Sequence, residues 1–175
     1  MFSIVIPTWN NLAHLQLVVR SIREHSAQPH QIIVHVNDGR DGTREWVRAQ
    51  GLEHTASDDN IGICYAVNEA AMQARHEHLV YMNDDMYCLP GWDTALQRRA
   101  AAMPSDLYLL SGTMVEPRDS GNPCVVVGPY GDGVDNFREA DLLRDAPRLV
   151  RADWYGATWP PTLVARRWWF RVGGY

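Results

Sequence analysis

Two adjacent aspartates, Asp84 and Asp85, follow the apolar run Leu79-Val80-Tyr81-Met82 with only Asn83 between. Such a run reads as a buried strand, so both carboxylates should stand at the carboxyl edge of a sheet. Two negative charges held together there are costly unless a cation sits with them. Hard oxygen ligands suit Mg²⁺ or Mn²⁺, which keep open positions for substrate phosphates. The other reading of the pair is a solvated turn leading into the next helix. Asn37-Asp38-Gly39 closes a second apolar run, Ile32-Ile33-Val34-His35-Val36, in the same manner. Asp38 is either a turn former or an acceptor for the N–H of a planar base. Pro7-Thr8-Trp9-Asn10 closes a third run, residues 2–7, and Trp9 offers either core packing or a flat face for a base.

The elements that carry these strings alternate. The strand over residues 2–7 is followed by Leu12, Leu15, Val19 and Ile22 at helical spacing, with Asn10 and Asn11 as N-caps. The strand over 32–36 gives way at Asp41-Gly42-Thr43 to a short helix through Val47, and Leu52–Thr55 forms a brief third strand. A helix starts at Asn60-Ile61-Gly62 and runs to about Arg75, its alanines allowing close packing on a sheet. The strand 79–82 follows, then a helix from Pro90 and a fifth strand over 107–115. This β-α order predicts an α/β fold with a mostly parallel central sheet and helices on both faces. Ligands of such sheets sit beyond the carboxyl ends of the strands, where the three polar strings lie. Past residue 115 the rhythm fails: Cys124–Val127 reads as half a hairpin, Gly128–Asp135 as turns, Arg148–Trp154 as extended, and Thr162–Arg171 as a helix stopped by Gly173-Gly174.

The 175 residues give room for one domain with a real core, and 46% hydrophobic with 21% charged residues is the balance of a globular protein. A net charge of -5 argues against a dominant basic surface for nucleic acid. Three cysteines, an odd number without Cys-x-x-Cys spacing, favour free thiols in a reducing compartment. With no stretch long enough to cross a bilayer and no signal peptide, the expected location is cytoplasmic. No Gly-x-Gly-x-x-Gly follows the first strand, no P-loop or Gly-x-Ser-x-Gly elbow is present, and His76-x-His78 lacks zinc-site spacing. Arg166-Arg167 beside Trp168-Trp169 reads as a phosphate grip or as half of an amphipathic helix.

Taken in order, the strings resemble inverting glycosyltransferases of family 2, which have the GT-A fold. Ser3–Asn11 looks like the family's first strand and nucleotide loop, and Val36–Thr43 like its Asp-Asp-Gly-Ser-x-Asp-Gly-Thr segment, with Asn37 replacing the first Asp. Asn60-Ile61-Gly62 through Asn68 is similar to its Asn-x-Gly…Asn helix, and Tyr81–Asp85 with Leu89-Pro90-Gly91-Trp92 to its Asp-x-Asp strand end. Gly156–Gly174 resembles the acceptor-side segment ending in Gly-Gly-Phe/Tyr.

The resemblance implies a single domain over 1–175, with residues 1–103 as its nucleotide-sugar half and 104–175 as an incomplete acceptor side. It implies that Asp38 accepts from a base N–H, that Trp9 lines the base beside Pro7 and Thr8, and that Asp84 contacts the ribose. Asn10, Asn60, Gly62 and Asn83 fall in the same nucleotide-contacting strings. Asp85 matches the acid that binds Mn²⁺ or Mg²⁺ bridging the donor diphosphate. With Asn83 where an Asp is common, a single strong metal ligand is expected. The implied reaction moves a sugar from a nucleotide-sugar donor, by the family's habit a UDP-sugar, to a carbohydrate or lipid-linked acceptor, with inversion. The family's general base lies downstream of the Gly-Gly-Phe/Tyr segment, so the chain is expected to stop before it, with Asp153 the one substitute named. Two alternatives stay open: a non-catalytic or incomplete sugar-nucleotide-binding module, and a sugar-nucleotide nucleotidyltransferase. The second lacks its Gly-rich, Arg-bearing loop, for Pro7-Thr8-Trp9-Asn10 is unlike it.

Overall fold

The fold is taken from a computed structural model that describes residues 1–153, 155–156 and 159–175. Strand β1 (Phe2–Trp9) lies at the heart of a six-stranded sheet of order β3-β2-β1-β4-β8-β5, where β2 is Gln31–Asn37, β3 Glu53–Ser57, β4 His78–Tyr81, β5 Leu110–Ser111 and β8 Thr162–Ala165. β1 pairs in parallel with β2 and β4, and β2 with β3; β8 runs against both β4 and β5. The expected mostly parallel sheet is thus present.

Alternation along β1 assigns its two faces. Phe2, Ile4 and Ile6 pack with Leu15, Val18, Val19 and Ile22 of helix α1 (Leu12–His25), Val47 of α2 (Thr43–Ala49) and Leu96 of α4 (Trp92–Ala101). Val5 points the other way, toward Val67, Ala70 and Ala71 of α3 (Ile63–Ala71) and Trp169 of α6 (Arg166–Val172). Helices therefore cover both faces, as the pattern required. The alanines let α3 approach the sheet closely.

Several boundaries differ from expectation, each for a local reason. Neither Asn caps α1 by its side chain: the Leu12 N–H donates instead to Asp41 Oδ2 at 2.9 Å. The other oxygen of Asp41 accepts from the Thr43 N–H at 3.1 Å, so one carboxylate serves the starts of two helices. Burial alone would raise this carboxyl, but the bonds from Thr43 and Leu12 hold it below its ordinary value. Helix α3 ends at Ala71 rather than Arg75, because the Arg75 and His76 N–H groups turn to donate to the buried Ser3 hydroxyl at 3.1 and 3.0 Å. Helix α4 starts at Trp92, not Pro90, since Gly91 holds a left-handed φ of 78° at its N-cap.

The second half departs further. The single strand expected over 107–115 is broken at Gly112: β5 joins the main sheet, while β6 (Met114–Glu116) pairs in parallel with β7 (Val125–Val127), which is therefore no half-hairpin. The helix expected over 162–171 is two elements, the buried strand β8 and then α6 without an intervening loop. Thr-Leu-Val-Ala is apolar and buried throughout, a run that periodicity alone cannot assign to helix or strand. Helix α5 (Glu139–Asp145) was not expected; it buries Leu142 alone, too little to give an apolar stripe. Residues 149–153 belong to no strand, and Trp154, the end of the segment expected to be extended, lies outside the described residues.

Two buried histidines make the fold sensitive to pH. His30 Nδ1 accepts from the Phe2 N–H at 3.0 Å, which leaves Nε2 to carry the proton and donate to Asp93 Oδ2 at 3.1 Å. Burial lowers the His30 pKa despite Asp93, and burial likewise lowers that of His35. Both rings stay neutral when folded, whereas the unfolded chain takes up protons below about pH 6.5. Stability from these groups is full above that value and is lost as pH falls through their lowered folded values. Thermal melts should therefore be level from pH 8 to 7 and drop from about pH 6.5 downward. His35→Gln should flatten the slope; an unchanged slope would exclude His35 as a source.

Candidate functional site

The sheet register gathers the three polar strings. Phe2–Val5 of β1 pair with His78–Tyr81 of β4, yet β1 continues to Trp9, which pairs with Asn37 at the end of β2. The Met82 N–H closes on the Val5 carbonyl at 3.1 Å. Asn83, Asp84 and Asp85 thus leave β4 alongside Pro7, Thr8 and Trp9. From β1 the chain winds outward through β2 and β3 and then returns to β4 on the other side of β1. The ends of β1 and β4 form a topological switch point, where ligands of open α/β sheets bind.

The two acids stand in different surroundings. Asp85 is exposed, while Asp84 is partly buried. Burial pushes the Asp84 carboxyl above its ordinary value, against the opposing pull of the Thr8 and Asn11 side chains. The approach of Thr8 falls short of a normal hydrogen bond, and its buried hydroxyl has no partner among the described residues. Neither carboxylate has an ion pair there with Arg or His. Asn83 accepts from the Tyr81 hydroxyl at 2.6 Å.

On the other side of Trp9 lies Asp38. Trp9 is 57% exposed although it ends the central strand, so its ring is not core packing. Asn10 and Asp38 both hold a left-handed backbone, with φ of 47° and 61°, uncommon for residues with a Cβ. Asn10 Nδ2 donates to Asp38 Oδ2 at 3.1 Å, and Arg40 Nε meets Asp38 Oδ1 at 2.7 Å. The arginine is largely exposed and the aspartate is not.

Asn37 underlies this arrangement. Its side chain is buried and donates to the Thr8 carbonyl at 3.4 Å, while its oxygen accepts from the Ile61 N–H at 3.0 Å and the Ser57 hydroxyl at 3.2 Å. The ends of β1, β2 and β3 and the 60–62 loop are tied through one amide. In that loop Asn60 Oδ1 accepts from the Gly62 N–H at 2.9 Å, and Gly62 has φ 82°, which favours glycine.

The sequence profile of glycosyl transferase family 2 matches residues 3–123. The chain belongs to this family. Its solved likenesses agree in fold. Residues 1–349 of S. aureus TarS superpose with a TM-score of 0.68 at 15% identity, over 98% of this chain and 48% of that one. The mannosyltransferase PcManGT from Pyrobaculum calidifontis, solved with GDP-Man and Mn²⁺, gives 0.68 at 20% identity, over 99% of this chain and 47% of that one. TarS 1–349 in complex with UDP-GlcNAc gives 0.64 at 15% identity, over 98% of this chain and 47% of that one. This family 2 chain therefore has the GT-A architecture and spans about half the length of these proteins. No curated protein sequence matches it.

The remaining predicted residues distribute unevenly over this family 2 fold. Asp153 is exposed and meets Arg99 of α4 at 3.4 Å; no hydrogen bond or ion pair among the described residues links it to Asp84 or Asp85. Arg166 donates to the Ala74 carbonyl, and Arg167, largely exposed, pairs with Asp106 while lying 5.2 Å from the Trp168 ring centroid. Glu116, at the end of β6, was not anticipated. Burial and then the field of Asp85 raise its carboxyl above the ordinary value. It directly follows the strand expected over 107–115, where its place at a strand end was the signal available.

The Asn37 tie can be measured. Asn37→Ala leaves the Ile61 N–H and the Thr8 carbonyl without their side-chain partner, and should cost about 1–3 kcal/mol in urea unfolding. A loss within experimental scatter of zero would show that the loops hold themselves.

Proposed function

We propose that this family 2 chain binds a nucleotide-sugar donor and serves the metal-dependent transfer of its sugar to an acceptor hydroxyl, with inversion. The observation that carries the reading is the acidic pair at the switch point, unpaired by Arg or His among the described residues, beside an exposed indole. Family membership supports sugar transfer in general. The specific donor we favour is a UDP-sugar, with a carbohydrate or lipid-linked acceptor. Residues 1–103 form the donor half in this reading, and residues 104–175 contribute to the acceptor side.

The division of labour follows from the surroundings. The exposed Trp9 ring offers a face to the base, and Pro7 and Thr8 precede it along the same strand end. Asp38, already accepting from Asn10, is the acceptor we assign to an N–H of the base, and Arg40 must yield or share it. Asp84, less solvated than its neighbour, suits a ribose hydroxyl, which it can accept from, and on the family pattern we assign Asn60, Gly62 and Asn83 to the nucleotide as well. Asp85 is the exposed hard-oxygen donor, and a divalent cation, Mn²⁺ or Mg²⁺, fits there with donor oxygens. Among the described residues no three His, Cys, Asp or Glu side chains cluster as a metal cage, so Asp85 would hold the ion with the nucleotide rather than alone. When bound, the ion neutralises the charge that grows on the leaving diphosphate. No helix among the described residues is long and apolar enough to cross a membrane, so the site stands on no membrane-spanning helix of this segment.

Titration calorimetry tests both halves. Asp85→Ala should abolish the Mn²⁺-dependent part of UDP affinity and leave the melting curve unchanged; equal Mn²⁺ enhancement in the variant would remove Asp85 from the metal. Asp38→Ala should weaken UDP by about 1.5–3 kcal/mol, the range for a hydrogen bond to a charged group. Ribose 5-phosphate, which has no base, should bind both forms alike. An equal loss for both ligands would make Asp38 a support of the loop only.

A further inference from the structure

Asn68 of α3 does little for the core, since Ala66, Val67, Ala70 and Ala71 supply the buried face of that helix. Its side-chain amide instead grips the main chain of Tyr175 at both ends. The Tyr175 N–H donates to Asn68 Oδ1 at 3.0 Å, and Asn68 Nδ2 donates to the Tyr175 main-chain oxygen at 3.3 Å. Gly173 and Gly174 bring the chain there in left-handed conformations, φ 93° and 88°. Gly174 passes so close to the Asn68 amide that a Cβ would overlap it, and its N–H donates to the Trp169 carbonyl at 2.9 Å. The clasp therefore demands glycine on one side and a side chain with both donor and acceptor on the other.

What the clasp holds is the Tyr175 ring. It meets Tyr81 edge-on with centroids 5.3 Å apart and stacks on Trp169 at 6.2 Å. Tyr81 is the last residue of β4, and its hydroxyl is the donor to Asn83, the residue before Asp84-Asp85. An unbroken series of contacts thus joins Asn68 to the acidic turn through Tyr175, Tyr81 and Asn83. Tyr81 is almost fully buried, and the Tyr175 ring packs against it. Removing it would admit water to compete for the Tyr81 hydroxyl.

We propose that Asn68 is a positioning residue for the acidic turn: by clasping Tyr175 over Tyr81 it keeps Asn83, and with it Asp84 and Asp85, in the geometry that binds a nucleoside diphosphate with its cation. This rests on the donor-binding reading above. The contact series makes Tyr175 a relay through its ring, not its hydroxyl, and makes the main-chain clasp indifferent to the Tyr175 side chain.

Four variants test this in the full chain: Asn68→Ala, Gly174→Ala, Tyr175→Ala and Tyr175→Phe. Two readouts are used, UDP titration with and without Mn²⁺ and amide exchange followed by NMR at Tyr175 and residues 81–85. The first three variants should lower Mn²⁺-dependent UDP affinity by about three- to tenfold, the scale of one lost hydrogen bond or so. Metal-free affinity should hold, and exchange at 81–85 should quicken. Tyr175→Phe should behave as wild type, which a generally destabilised fold would not reproduce. If Asn68→Ala frees the Tyr175 amide yet leaves both the 81–85 exchange and the Mn²⁺-dependent affinity at wild-type values, the clasp is merely structural and the proposal falls. If wild type itself binds no nucleotide, the donor-binding reading falls, and exchange at 81–85 then decides for or against the coupling alone.

Discussion

Strand β1 has a parallel neighbour on each side, and the site hangs from that constraint. Parallel pairing points the carboxyl ends of β1, β2 and β4 in one direction, so loops far apart in sequence emerge at one edge. The pairing with β4 stops at Val5 while that with β2 continues to Trp9. This unequal overlap separates the two sides of the site: the acidic turn leaves early on one side, and Trp9 and Asp38 stand beyond it on the other. A shift of one residue in either pairing would turn every β1 side chain to the opposite face, exchanging the two cores as well as displacing the site.

Asn37 illustrates how chemistry and architecture share residues at that edge. The resemblance marks this position as one where an Asp is usual. A carboxylate would accept from Ile61 and Ser57 as the amide does, but it has no N–H for the Thr8 carbonyl. The amide also keeps one negative charge out of a region that already contains Asp38, Asp84 and Asp85. A neutral tie beneath a charged surface lets the acids be held close without adding to their repulsion.

The pattern of satisfaction in the site is uneven in an informative way. On the base side, Asp38 is engaged by Asn10 and Arg40, and two residues accept left-handed backbone to arrange it. On the acidic side the Thr8 hydroxyl is buried without a partner among the described residues, and the Asp84 carboxyl is raised by burial. Buried polar groups are ordinarily paired. Unmet demand concentrated at a switch point is the condition a polar ligand would relieve. The amino edge of the sheet presents the opposite case, where Ser3, Gln31 and Asp93 are all bonded, to neighbouring strands, to the His30 ring and to the turns beside them.

The first half of the chain was legible in its residues because its elements are local. Apolar runs in 2–7, 32–36 and 79–82 mark strands, helical spacing from Leu12 to Ile22 marks α1, and a β-α alternation leaves few topologies to choose from. Hence the α/β class, the helices on both faces and the strand ends bearing Trp9, Asp38, Asp84 and Asp85 could be read directly. What the tertiary structure alone decided depends on partners distant in sequence. Thr162–Ala165 is a strand because β4 and β5 offer it open edges, and no periodicity in those residues says so. The cap of α1 comes from Asp41, the floor of the site from Asn37, and the seat of Tyr175 from Asn68, each a polar side chain whose partner lies in another element. A polar residue in a turn looks alike whether it faces water or holds two loops together. Only folding supplies the second group.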